Sequence, residues 1–373
     1  MRIASELDTA TALRAAAEAG TPVRIVGAGT KLGWGRPVEA EVEVTTAGLD
    51  RIVEHNAGDL TAVLEAGVPL AAAQHKFAEA GQMLALDPPA DGATIGGVVA
   101  AGDSGPLRSR YGGPRDLVLG VRAALPDGNV IKSGGKVIKN VAGYDLGKLL
   151  AGSFGTLGAI VEVSVRLHPR PEQTATAAGG TTDSSTLAAA AIELSRSPLE
   201  HLCLDLRWGG GDGALLARFA GAAARAQAEA ALRLMADAGL EGSLVEDDEG
   251  VWSLQRDGQR SAGGTVVRVS GAPSRAAEVL AAATRLGARV VGRAGLGLSW
   301  MAIEERSADE SVEAVRELRR ELSPLPCVVL DAPREVRERL DPWGGFEPGL
   351  LELMRRLKDH FDPAGVLNPG LLP

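Results

Sequence analysis

Glycines are the residues whose spacing first points to chemistry. Sixteen fall in the 67 positions from Gly92 to Gly158, against 48 in the whole 373-residue chain, and they are set among Val, Ile and Leu. Such enrichment inside an apolar stretch means that backbone approaches something closely or takes positive φ at many points. An extended ligand lying along the main chain would demand that. A second run, Gly27-Ala-Gly-Thr-Lys-Leu-Gly-Trp-Gly35, follows the short apolar strand expected at Pro22–Val26. Main-chain N–H groups in a loop of this kind can converge on phosphate oxygens. The spacing Gly27-x-Gly29-x-x-x-Gly33 is not the G-x-G-x-x-G dinucleotide fingerprint, no acidic residue stands clearly at the ribose position, and no Gly-Lys-Ser/Thr makes it a Walker loop. An ordinary glycine turn is the competing reading.

Two more blocks carry the same character. Asp87-Pro88-Pro-Ala-Asp-Gly-Ala-Thr94-Ile95-Gly96-Gly97 runs on to Ala100-Ala101-Gly-Asp-Ser104-Gly105. Its small residues would let the chain wrap a diphosphate and a flat ring, whereas a plain surface loop would rarely hold Ile95, Val98 and Val99. The third block is Lys136-Val-Ile-Lys-Asn140-Val-Ala-Gly143-Tyr144-Asp145-Leu146, then Gly152-Ser-Phe-Gly155-Thr-Leu-Gly158. Tyr144 is one of two tyrosines, and the alternative for it is a half-buried packing residue with a bonded hydroxyl.

In order and spacing the three blocks resemble the FAD-binding domain of the vanillyl-alcohol oxidase and p-cresol methylhydroxylase type, over about residues 1–170, and Leu367-Asn368-Pro-Gly370 resembles that family's closing motif. Within it, Lys-Asn-Val-Ala-Gly-Tyr-Asp at 139–145 is similar to the compact flavin subunits of bacterial glycolate oxidases. The resemblance implies non-covalent FAD, with Gly27, Ala28, Gly29, Thr30 and Lys31 on the pyrophosphate. It implies that Pro88, Thr94, Ile95, Gly96, Gly97, Ala101 and Ser104 line the cofactor, that Gly155 and Ile160 lie near its adenine half, and that Asn368 belongs to the site. The chain departs from the pattern at Phe154, where many relatives carry Glu. It also lacks the histidine-rich motifs of the larger catalytic relatives, since His55, His75, His168, His201 and His360 are scattered. No metal site is expected.

The implied activity is oxidation of glycolate or another small 2-hydroxy acid to the 2-oxo acid, by hydride transfer to flavin. The substrate carboxylate needs a cation, for which Arg110, Arg115 and Arg293 are candidates; Tyr144 and Asp145 are weak candidates for the base. Cys203 and Cys327, the only cysteines, cannot bind an iron–sulfur cluster, so electrons would leave through an iron–sulfur subunit, beside a larger flavin subunit. Two alternatives stay open: a non-catalytic structural or electron-relay subunit of the same complex, and an NAD(P) enzyme built on the Gly27 loop.

These residues must be positioned by at least two domains, because 373 residues exceed one ordinary core. Helices are expected at 5–20 and 70–80, a strand at 42–45, a hairpin turning at Asp127-Gly128, and a strand over Gly158–Leu167. The run at 171–185, rich in Thr, Ala, Gly and Ser, reads as a linker from this FAD-binding domain (1–170). Beyond it, paired strands alternate with helices (186–349), which predicts an α+β fold: a ferredoxin-like antiparallel sheet capping the flavin domain, with helix and tail 350–373 returning to it. The net charge of −9 and 3% aromatic content argue against nucleic acid as a partner. The start of the chain has no apolar signal core, and no run approaches the roughly 18 residues of a membrane helix. A cytoplasmic protein is therefore expected, peripheral to the inner face of the membrane only through partner subunits.

Overall fold

The computed structural model describes residues 4–89, 92–136 and 144–372. Its first part opens with helix α1 (Glu6–Ala19), which Ser5 starts by accepting the Asp8 N–H and Gly20 ends in a left-handed conformation. Strands β1 (Val23–Val26) and β2 (Val42–Thr45) pair in parallel, and the Gly27 loop lies between them. There follow β3 (Ile52–Asn56), β4 (Thr61–Glu65), α2 (Leu70–Ala78), β5 (Gln82–Met83), α3 (Ile95–Ala101), α4 (Arg108–Tyr111) and α5 (Pro114–Leu117). The part closes with β6 (Val118–Ala124), β7 (Val130–Gly134), α6 (Leu146–Leu150), β8 (Ala159–Arg166) and β9 (His168–Pro169). An antiparallel sheet ordered β3-β4-β8-β6-β7 forms its floor, and α3 packs over it.

The glycine block expected to wrap a ligand as loop contains α3. Ile95, Val98 and Val99 are all buried, and their i, i+3, i+4 spacing gives a short helix an apolar face despite Gly96 and Gly97.

The second part is built twice over the same pattern. Its first half is β10 (Thr174–Thr181), α7 (Ser184–Arg196), β11 (Cys203–Gly209), β12 (Asp212–Ala220), α8 (Ala224–Asp237) and β13 (Glu241–Val245), followed by the connecting helix α9 (Glu249–Asp257). The second half is β14 (Thr265–Ser270), α10 (Ala276–Leu286), β15 (Arg289–Arg293), β16 (Leu298–Ile303), α11 (Ala308–Glu321) and β17 (Cys327–Val329). Each half is a βαββαβ unit, and β11 pairs with β15 to join the halves in one sheet ordered β13-β10-β12-β11-β15-β16-β14-β17. Helices α12 (Arg334–Arg339) and α13 (Pro348–Phe361) complete the chain. The tail then returns to the first part, where Asn368 N–H bonds the Val23 carbonyl. No helix among the described residues is long and apolar enough to cross a membrane.

The run expected as a linker at 171–185 instead enters this sheet, because β10 pairs with both β12 and β13. Its small residues serve packing: a Cβ on Gly179 would stand 3.0 Å from Met235 Sδ of α8.

Strand alternation decides which side chains reach the first part. In β14, Val267 and Val269 join the core under the helices, leaving Val266, Arg268 and Ser270 on the opposite face. In β16, Met301 and Ile303 point to the helices, while Trp300 and Ala302 face the first part with Trp34 and Leu330.

Candidate functional site

The Gly27 loop leaves β1 and passes over the start of α3. A Cβ on Gly27 would lie 2.3 Å from Thr94 Oγ1, so a side chain there would displace the threonine that accepts the Gly97 N–H and caps α3. Gly29 has φ +75° and turns the chain. Among the described residues, the N–H groups of Ala28, Gly29 and Thr30 have no acceptor within the chain, and Lys31 stands beside them with Nζ 3.4 Å from Thr30 Oγ1. Successive free N–H groups next to an ammonium make an anion cradle. The first N–H groups of α3 are already spent: Ile95 donates to Val68, Gly96 to Ala66 and Gly97 to Thr94.

Gly27, Ala28, Gly29, Thr30, Lys31, Thr94, Gly97, Ala101 and Asn368 therefore meet along one groove. Other expected cofactor residues serve as its frame. Ile95 and Ile160 are core residues, at 0% and 5% exposure. Gly96 is pressed on Ala66, where a Cβ would stand 2.6 Å from the Ala66 Cβ, and Pro88 is buried. Gly155 lets the tail approach, since its Cβ would lie 3.0 Å from Asn368 Nδ2. The Asn368 amide is engaged at both ends, accepting from the Ile25 N–H and donating to the Phe154 carbonyl, so it pins the groove wall.

The second part clamps this loop. Trp34 Nε1 donates to Asp331 Oδ1 at 3.0 Å, and Arg260 donates to both Asp331 oxygens and to the Thr30 carbonyl. Lys31 and Arg260 both lie within 6 Å of the Trp34 ring centroid, at 5.9 and 5.5 Å. Phe154, where a polar residue was the family expectation, fills the space between Trp34 and Trp343, with ring centroids 6.4 and 5.3 Å away.

Beyond Trp34 the groove opens into two cavities that share Trp34, Gly102, Arg108, Arg268 and Leu330. The larger is 1090 Å³ and reaches Phe154, Arg319 and the start of α13. The smaller, 230 Å³, is walled by Asp103, Ser104, Arg108, Arg268, Ser270 and Trp300 with the shared residues. Among the described residues Arg268 is a cation without a carboxylate in salt-bridge contact, and its buried Nε has no hydrogen bond. Burial, and then the charge of Arg108, holds its pKa below the ordinary arginine value. Asp103 is buried too, which raises its pKa, while Lys31, with Nζ 3.2 Å from Asp103 Oδ2, pulls the other way.

The arginines and acids singled out in the sequence fare differently. Arg110 is exposed and Arg115 sits at the rim of the larger cavity. Arg293 is wholly buried beneath Trp300, bonded to Asp205 and Gln259, so it is a structural ion rather than a substrate anchor. Tyr144 is 92% exposed, neither a packing residue nor part of the groove, and Asp145 caps α6 through the Lys148 N–H. Residues 137–143 of the third block lie outside the described residues. Sequence reasoning missed Asp103, Arg108 and Arg268; the one available sign was Arg268 itself, a charge on an otherwise apolar strand, Thr-Val-Val-Arg-Val-Ser.

Residues 1–134 match the family model described as FAD binding domain, and residues 343–372 match that of FAD linked oxidases, C-terminal domain. Residues 1–134 are an FAD-binding domain. The groove fits FAD on its own terms: free N–H groups and Lys31 suit a pyrophosphate, and aromatic and small residues line the way onward. Among curated proteins, glycolate oxidase subunit GlcE of Escherichia coli is 41% identical over 153 residues, 40% of this chain and 43% of that protein. D-lactate dehydrogenase of Archaeoglobus fulgidus is 37% identical over 159 residues, 42% and 36% of the two chains, and glycolate oxidase subunit GlcD of Bacillus subtilis 36% over 153 residues, 40% and 33%. The chain thus spans less than half the length of these relatives. The fold of the whole chain is shared with 4-ethylphenol oxidase from Gulosibacter chungangensis (TM-score 0.75, 16% identity, 100% and 89% of the two chains). It is shared also with alkyldihydroxyacetonephosphate synthase (0.72, 15%, 99% and 76%). The whole chain therefore shares one fold with these two proteins.

Proposed function

We propose that this chain is the FAD-binding subunit of a complex that oxidises glycolate or another small 2-hydroxy acid to the 2-oxo acid, with electrons passed to an iron–sulfur subunit and a larger flavin subunit alongside. The observation that carries the reading is the cation pair Arg108 and Arg268 on the small cavity between FAD-binding domain and cap, next to the loop that fits FAD. Bound FAD supplies the two-electron acceptor. The chain supplies the rest: the loop N–H groups and Lys31 hold the cofactor's phosphates, and the cap sheet keeps water from the cavity. Arg268 and Arg108 take the substrate carboxylate, which places the hydroxyl-bearing carbon inward. Relatives named as subunits of glycolate oxidase favour an assembly. With two cysteines in the chain, both buried, the electron exit is assigned to partners.

The test is anaerobic addition of glycolate, D-lactate or D-2-hydroxyglutarate to the FAD-loaded chain, alone and with its co-purifying partners, while the flavin band at roughly 450 nm is followed. Bleaching of the chain alone shows that this subunit takes the hydride, and bleaching only with partners shows a structural or relay role. No bleaching in either setting rejects the reading. We place the complex in the cytoplasm, held to the inner membrane face through its partners, which cell fractionation checks.

A further inference from the structure

Taking the proposed 2-hydroxy-acid oxidation as its basis, we propose that Asp103 is the catalytic base, receiving the substrate hydroxyl proton in the 230 Å³ cavity whose cations hold the carboxylate. Asp103 stands in the turn after α3, and its side chain is 4% exposed. One oxygen, Oδ1, accepts the Ser104 N–H at 2.9 Å, which fixes the carboxylate. The other, Oδ2, is buried and faces the Lys31 ammonium at 3.2 Å. Arg268 Nε is buried without a hydrogen-bond partner among the described residues, on the same cavity. A buried carboxylate and a buried donor that lacks a partner, around one small space, describe a ligand that is acid at one end and hydroxyl at the other, because leaving the arginine N–H unsatisfied is costly. Ser104 and Ser270 add hydroxyls to the wall, and Arg108 reaches Ser104 Oγ at 3.2 Å.

In the step, the O–H bond of the substrate breaks and its proton passes to Asp103. The C–H bond at the hydroxyl-bearing carbon breaks with its electron pair, for which FAD, when bound, would be the two-electron acceptor. The carbon–oxygen double bond of the 2-oxo acid forms, so the substrate gives up one proton to Asp103 and one hydride, which carries the second hydrogen and both electrons. Cations act on Asp103 from the loop and the cap, Lys31 from the glycine loop and Arg260 and Arg268 from the cap, and Arg108 of α4 lines the same cavity. They favour the carboxylate that must accept the proton, against the burial that opposes it.

The experiment compares wild type with Asp103→Asn as FAD-loaded proteins. The variant is expected to keep its FAD, to be reduced by the 2-hydroxy acid about 10²- to 10⁴-fold more slowly, and to lose the acid limb of the rate–pH profile. A readout apart from turnover is oxalate affinity, followed by the change in flavin absorbance. In wild type it weakens as pH rises through the Asp103 ionisation, because the ionised carboxylate repels oxalate, whereas in Asp103→Asn it stays flat. Reduction at the wild-type rate, unchanged pH dependence of oxalate binding, or loss of FAD in both Asp103→Asn and Asp103→Glu overturns the assignment. Wild type that no 2-hydroxy acid reduces sinks the functional reading instead.

Discussion

At the residue scale, two buried arginines of the cap separate by what faces them. Arg268 has a cavity in front of it, and Arg293 has Asp205 and Gln259. Arg268→Ala is expected to raise the substrate KM about 10- to 100-fold, since hydrogen bonds to charged groups are worth about 1.5–3 kcal/mol, with FAD content unchanged; steady-state kinetics and absorbance check this. Arg293→Met leaves Asp205 as an uncompensated buried charge and is expected to cost about 3–5 kcal/mol of stability, read by denaturant unfolding, with most of it restored by adding Asp205→Leu. Gly27→Ala drives a methyl into the Thr94 hydroxyl 2.3 Å away. It is expected to weaken FAD by at least about tenfold, or 1.4 kcal/mol, with the fold intact by circular dichroism.

At the scale of elements, the glycine loop belongs to one part of the chain but is held by the other. Asp331, just beyond β17, accepts from the Trp34 indole and pairs with Arg260, which also holds the Thr30 carbonyl. Asp331→Ala leaves a buried indole N–H without a partner, at about 1–3 kcal/mol, and releases Arg260 from its carboxylate. Faster FAD release is the expected outcome, measured by the flavin retained on the protein against time after dilution and ultrafiltration. A dissociation rate equal to wild type would show that loop and cap are energetically independent. In α3, by contrast, Gly96 packs on Ala66, and the N–H groups of Ile95, Gly96 and Gly97 are already bonded within the chain.

At the scale of the whole molecule, the two parts share a titrating group. Asp87 of the FAD-binding domain accepts the Leu107 N–H and faces Arg293, Arg256 and Asp205 of the cap, and burial lifts its pKa from 3.8 to about 7. Between those values the unfolded chain has given up the proton while the folded chain keeps it, so the folded state binds more protons and stability falls as pH rises. Below the window both states are protonated and above it both are charged, and the dependence levels off. Asp87→Asn is expected to flatten melting temperature against pH across this window and to raise it at pH 8; a slope as steep as wild type would place the titration elsewhere.

Local signals in the chain sufficed for most of the elements and for the cofactor. Apolar periodicity located α1, the hairpin of β6 and β7, and most strands of the cap, since each depends on neighbours within a few residues. The glycine loop was legible because phosphate binding by backbone needs a contiguous run. Composition misled at β10, where Thr, Ala and Gly read as linker although two strands enclose it. The reacting residues were not legible. Asp103 and Arg268 are 165 positions apart in the sequence (268 − 103) and meet only when the sheet alternation turns Arg268 toward the FAD-binding domain. Arg293, on a neighbouring strand, is spent on Asp205 instead. Whether a charged side chain is an anchor or a buried strut depends on which group the packed structure sets against it, and that partner is fixed by tertiary contact alone.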